Sequence, residues 1–155
     1  MPEFLETRVD KFTFKVAADR YYSSEGVWAS PLPQGEGRGV RVRVGVSDFL
    51  QQRSGDVAFA EVNPEGTVLA TGDEVAVIET IKVNISLTSP VSGKIVEVNP
   101  AMATAPEAIN KDPYGEGWLA VIEPGDWETD RARLLDAQAY FTLMKRQAEE
   151  ESNKR

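Results

Sequence analysis

Between Val57 and Val98 the chain divides into five short apolar runs, Val57–Val62, Thr67–Leu69, Glu74–Glu79, Val83–Leu87 and Lys94–Val98. The separators are turn sequences: Asn63-Pro64-Glu65-Gly66, Thr71-Gly72-Asp73 and Ser89-Pro90-Val91-Ser92-Gly93. Runs this short cannot make helices of useful length, and their spacing leaves no room for crossover helices between parallel strands. The chain is therefore expected to be mainly β, folded as a compact sandwich or partly closed barrel. Val40–Val46 adds a strand that alternates valine with arginine, and Ser47 is placed to cap a short helix from Asp48 to about Arg53, ended near Gly55. Further on, Pro106–Asn110 suits one helical turn and Trp118–Ile122 a last strand. Asp136 caps a helix from Ala137 to about Glu150, with Ala139, Tyr140, Leu143 and Met144 spaced to pack on the sheet.

Outside these elements the pattern weakens. Residues 1–20 are charged and loosely patterned, and read as an N-terminal arm or extension; 21–150 read as the domain and 151–155 as a tail. The glycines within Ser30–Gly39 lack the strand-before, helix-after setting of a phosphate loop and read as a connection between strands. Glu61-Val62-Asn63-Pro64 recurs as Glu97-Val98-Asn99-Pro100, a short echo suggesting two similar half-motifs. The run Glu149–Glu151 reads as a solvated helix end.

Composition narrows the chemistry. The 155 residues contain no cysteine and no histidine, which excludes disulfides, thiol nucleophiles, imidazole triads and Cys/His metal sites. A net charge of −8 argues against nucleic acid or anionic lipid as a partner. The first residues carry no positively charged, apolar export signal, and no apolar stretch is long enough to span a membrane, so the cytoplasm is the expected location. Redox or group-transfer chemistry would have to be attached to the chain.

Lys82 is the natural place for an attachment. It falls between the runs Val75–Ile78 and Val83–Leu87, where a tight hairpin would hold it out into water. Thr71-Gly72-Asp73, Glu79-Thr80-Ile81-Lys82-Val83 and Ser89-Pro90-Val91-Ser92-Gly93 together resemble the lipoyl hairpin of the glycine cleavage H-protein family. Asn110-Lys111-Asp112-Pro113-Tyr114-Gly115-Glu116-Gly117-Trp118 is similar to a second H-protein signature. The resemblance runs from about Tyr21 to Glu150. It implies a lipoyl/biotinyl-type flattened β-barrel or sandwich with short helices and a C-terminal helix, in a monomeric, non-catalytic carrier with no metal. It also implies lipoic acid in amide linkage to Lys82, within a site that includes Glu79, Ile81 and Val83. Biotin sites on this hairpin type carry methionine on both sides of the lysine, and here Ile81 and Val83 stand there. A lipoyl group would be attached by a lipoate ligase or completed by lipoyl synthase. A tether of this kind raises the effective concentration of a strained, exchange-prone dithiolane at each partner.

The cargo is less plainly written. H-proteins shelter a cationic aminomethyl adduct with acids and a histidine, because an unpaired desolvated ammonium is costly. Aligned on the family's motifs, the glutamate of that set is Val27, with Glu25 nearby; the histidine is Phe49 and an aspartate is Ser86. The substitutions point away from an amine. They favour the H-like proteins of sulfur oxidation, which pass sulfur or reducing equivalents among sulfur transferases and a heterodisulfide-reductase-like complex. The alternative is glycine cleavage itself, with glycine decarboxylase, aminomethyltransferase and dihydrolipoamide dehydrogenase as partners. An unmodified binding module on the same fold is a third.

Overall fold

The computed structural model describes residues 3–33 and 39–154, so residues 34–38 of the expected Ser30–Gly39 connection lie outside the described residues. In chain order the strands are β1 (Phe4–Val9), β2 (Phe12–Ala17), β3 (Tyr21–Tyr22), β4 (Val27–Pro31) and β5 (Val42–Val46), followed by helix α1 (Asp48–Ser54). Then come β6 (Val57–Val62), β7 (Val68–Leu69), β8 (Glu74–Thr80), β9 (Asn84–Thr88) and β10 (Gly93–Val98). Short helices α2 (Ala101–Thr104) and α3 (Ala108–Lys111), strand β11 (Ala120–Pro124), and helices α4 (Trp127–Arg133) and α5 (Ala137–Asn153) complete the chain.

The five runs between Val57 and Val98 all form strands. They are shared between a six-stranded sheet, ordered β3-β4-β5-β11-β10-β7, and a three-stranded sheet, β6-β8-β9. The alternation of β5 is used as the pattern demands: Val42, Val44 and Val46 are buried, and Arg41 and Arg43 face partly outward. These valines join Val75, Ile78, Leu87, Ile95 and Ile122 in one core between the sheets. This is the expected flattened barrel-sandwich, open rather than closed by hydrogen bonds. The Asn-Pro echo has a common physical role. The side-chain amide of Asn63 donates to the Glu74 carbonyl, and that of Asn99 donates to the carbonyls of Glu116 and Trp118. Each asparagine fastens the end of its strand to a neighbouring segment.

A second core differs from expectation. Residues 4–17, within the stretch expected as an N-terminal arm or extension, form a paired hairpin: β1 and β2 pair antiparallel from Phe4↔Ala17 to Val9↔Phe12, turning at Asp10 with φ 57°. Phe14 and Val16 are buried with Tyr22, Trp28, Phe49, Tyr140 and Met144. The outer edge of β2 would otherwise leave backbone groups unpaired. Side chains satisfy it: Lys15 N–H donates to Asp48, and the Gln52 amide donates to the Thr13 carbonyl. The Tyr114 hydroxyl donates to the Lys15 carbonyl. Helix α5 packs mainly on this hairpin and meets the large sheet at its edge strand β3. Its buried face is Ala137, Tyr140, Met144 and Ala148, so Ala139 of the expected stripe is exposed. The helix also runs on to Asn153, through residues set apart as a tail.

Helix α4 has no counterpart among the expected elements, although Asp126 caps it through the Thr129 N–H. It matters because buried Asp130 accepts from both the N–H and the hydroxyl of Ser92, each at 2.9 Å, pinning the Ser-Pro-Val-Ser-Gly turn. Among the described residues no helix is long and apolar enough to cross a membrane.

Two outcomes test the packing. Gly45 lies directly under the Trp28 ring, and a β-carbon there would overlap Cε2 and Nε1. Gly45→Ala should cost roughly 3 kcal/mol by overpacking, read from urea unfolding midpoints. Burial pushes the Tyr140 hydroxyl up to about 12, the Ser47 hydrogen bond pulling the other way, and burial likewise raises Tyr22 and Tyr114. A tyrosine whose folded pKa exceeds its unfolded value of about 10 contributes stability that is intact below that pH and lost as pH rises through the folded value. The urea midpoint should therefore fall between about pH 10 and 12, and Tyr140→Phe should remove part of that decline.

Candidate functional site

Strands β8 and β9 form a hairpin in which Glu79 lies opposite Asn84, leaving a turn that carries Ile81, Lys82 and Val83. Thr80 builds that turn. Its N–H donates to the Val83 carbonyl at 2.8 Å. Its hydroxyl also donates to that carbonyl and accepts from the N–H groups of Lys82 and Val83 at 3.2 and 3.0 Å. One hydroxyl thus holds two N–H groups and a carbonyl of the turn beyond the last ladder pair. Lys82 is held in water with its neighbours: Ile81 is 84% exposed and Val83 46% exposed, and Glu79 is also exposed. Thr80 was not singled out from the sequence, although a hydroxyl two and three residues before turn N–H groups is a recognisable turn device.

The residues chosen from family alignment separate. Val27 is fully buried in the main core, paired with Val46, and presents nothing to the tip. Glu25 and Ser86 lie on exposed surface along β9. Glu25 accepts from the Thr88 hydroxyl at 3.2 Å, and Ser86 donates to Glu74 at 2.6 Å. Ser86 and Thr88 point the same way from β9, so the two hydrogen bonds bring Glu25 and Glu74 to one strand face. Phe49 alone of the four reaches the neighbourhood of Lys82.

That neighbourhood is a cleft of about 150 Å³ lined by Phe12, Phe14, Phe49, Gln52, Arg53, Glu151 and the Lys82 side chain. Phe14 meets Phe49 edge-on at 5.3 Å, and Phe12 stacks beside Phe14 at 6.2 Å. Arg53 pairs with Glu151 at 2.9 Å. Glu151 is therefore partnered, while Glu149 and Glu150 are exposed as expected of a solvated helix end. The stem of Lys82 passes over Gly55, which ends α1 with φ 90°; a β-carbon at 55 would lie 3.6 Å from the lysine Cδ and Cε.

The second signature fixes this arrangement from below. The Asn110 amide donates to Gln51 and to the Gly55 carbonyl, both at 3.0 Å, and its oxygen accepts from Val57 N–H at 2.8 Å. The end of α1 and the start of β6 are thereby locked under the tip. Asp112 accepts from Glu116 N–H to close the loop, and Tyr114 reaches the hairpin as described above. Gly117 has no room for a side chain, since a β-carbon would meet the Ala108 carbonyl oxygen at 2.6 Å. The signature is scaffold that aims the lysine, rather than chemistry.

Comparison with known proteins agrees with this geometry. Residues 20–147 match the family described as Glycine cleavage H-protein. A glycine cleavage system H protein of Thermus thermophilus is 40% identical over 133 residues, covering 86% of this chain and 98% of that protein. The probable glycine cleavage system H protein of Pyrococcus furiosus is 37% identical over 132 residues, covering 85% and 94%. The crystal structure of a glycine cleavage system H protein from Mycobacterium marinum is similar with a TM-score of 0.72 at 31% identity, covering 82% of this chain and 97% of that one. With the family matched across most of its length and the fold shared, the chain belongs to the glycine cleavage H-protein family.

Proposed function

We propose that Lys82 carries lipoic acid in amide linkage and that the protein is a non-catalytic carrier, working as the H-protein of a glycine cleavage system. The observation that carries this reading is the Thr80-closed hairpin tip, which holds an exposed lysine in the family's modification motif. A lipoyl group supplies a disulfide that thiol exchange can open, which the cysteine-free chain cannot supply itself. The rigid hairpin fixes the lysine Cα, and the free stem lets the attached group visit successive active sites. On this reading a lipoate ligase modifies the chain. Glycine decarboxylase loads it, aminomethyltransferase unloads it and dihydrolipoamide dehydrogenase reoxidises it.

The substitutions Val27, Phe49 and Ser86 favour a sulfur-oxidation carrier on sequence alone. The relatives described above bear the glycine cleavage name, and their identity favours the alternative. A physical reason supports the change. The loss of an acid at Val27 is offset by Glu25 and Glu74, which accept from Thr88 and Ser86 on the same outer face of β9. Ser86 lies four residues from Lys82, at most about 13 Å away along the chain and within reach of a lipoyl-lysine arm. An aminomethyl cargo would find its counter-charge there. The sulfur reading keeps one specific support, Phe49 where the family carries histidine, and stands second.

Incubation with lipoate, ATP and a lipoate ligase should raise the intact mass by one lipoyl group, and Lys82→Arg should abolish the increase. The lipoylated protein should support glycine–bicarbonate exchange by glycine decarboxylase; modification without exchange would favour the sulfur carrier. Thr80→Val removes the hydroxyl's three hydrogen bonds at the tip and should slow lipoylation roughly ten-fold, the consequence of about 1.4 kcal/mol lost in presenting the lysine, with the circular dichroism unchanged.

A further inference from the structure

The cleft beside Lys82 is walled by parts of the chain that the family match does not span. Phe12 and Phe14 precede residue 20 and Glu151 follows residue 147. The alignment to the Thermus protein uses 98% of that protein but 86% of this chain. The hairpin β1–β2 is thus an addition, and it is anchored as a fixed wall by Asp48, Gln52, Tyr114 and Tyr22. The hairpin thus places the Phe12 ring in the wall of the cleft that the Lys82 side chain also lines.

The charges around the cleft decide what it can hold. Lys11 lies over the Phe12 ring at 5.6 Å and Arg53 over the Phe49 ring at 6.0 Å. Among the residues lining the cleft the one carboxylate is Glu151, already paired with Arg53. A cationic guest would meet the Arg53 guanidinium in the wall, whereas a neutral, polarisable sulfur ring would lie on the Phe12 ring, with the largely buried Phe14 and Phe49 behind it. The cleft is open to solvent on one side, and its volume of about 150 Å³ is of the order that a five-membered dithiolane ring needs. The lysine stem, running over Gly55, already leads to its mouth.

We infer that the N-terminal hairpin and the last turns of α5 form a resting pocket for the neutral disulfide form of the arm on Lys82. The inference rests on the lipoylation of Lys82 proposed above. The pocket is distinct from the Glu25–Glu74 face, which would receive a cationic cargo, so the arm exchanges between two addresses according to its charge.

The test is the rate at which a water-soluble phosphine reduces the dithiolane of the full-length lipoylated protein, with free lipoamide as the unprotected standard. An arm docked about four-fifths of the time should be reduced roughly five-fold more slowly than an undocked one. Phe12→Ser should recover most of that factor, and Phe12→Leu should stay slow. Both keep the net charge, so repulsion of the phosphine by the protein is common to all three. Circular dichroism confirms that each variant is folded at the assay temperature. A wild-type rate equal to that of Phe12→Ser would overturn the pocket while leaving lipoylation standing. Failure of the ligase to add the lipoyl mass would overturn the lipoylation and the pocket together.

Discussion

The indole of Trp28 lying on Gly45 is the contact on which the rest of the molecule depends. Only glycine permits the ring to lie flat on β5, and the indole N–H is then shared between the carbonyls of Val46 and Pro113, each at 3.1 Å. Arg20 covers the ring at 4.5 Å and donates to the Tyr114 carbonyl at 2.8 Å. One side chain therefore joins the large sheet, the Asp112–Gly117 loop and the second core. Through that loop Asn110 fixes the end of α1, and through α1 come Phe49, Arg53 and Gly55, the surroundings of Lys82. The lysine projects into water, but everything under it is tied back to one buried ring.

The site shows a division of labour between backbone and charge. At the tip a hydroxyl closes the turn, and no ionised group is needed. The charges are set aside in two places, carboxylates hydrogen-bonded along the outer face of β9 and the Arg53–Glu151 pair in the aromatic cleft under the tip. A carrier has to hold its arm loosely enough to release it to each partner, and weak, exposed contacts suit that need better than a buried ion pair. The Arg53–Glu151 bridge is of this weak kind, half in water on its arginine side.

The strands from Val57 to Val98 were legible because each carries its own alternation and its own turn residues, so the information is local. The tip lysine was legible for the same reason, since its motif is contiguous. The hairpin β1–β2 was not read, although Phe12, Phe14 and Val16 alternate, because what orders it lies far away at Asp48, Tyr114 and α5. Val27 was placed at the site by alignment with a motif, but alignment fixes position along a strand and not which side chains share a cavity; burial in the main core removed it. The acidic run at Glu149–Glu151 says only that the helix end meets water; the pairing of Glu151 with Arg53 follows from tertiary packing that no window of sequence contains.

Whether the arm rises from Lys82 and rests against the hairpin is tested most directly by a nuclear Overhauser experiment on protein lipoylated with ¹³C-labelled lipoate. Cross-peaks from the dithiolane protons to the rings of Phe12 and Phe49 are expected in the disulfide form. Dithiolane signals at the positions and linewidths of free lipoamide, with no contact to either ring, would contradict it.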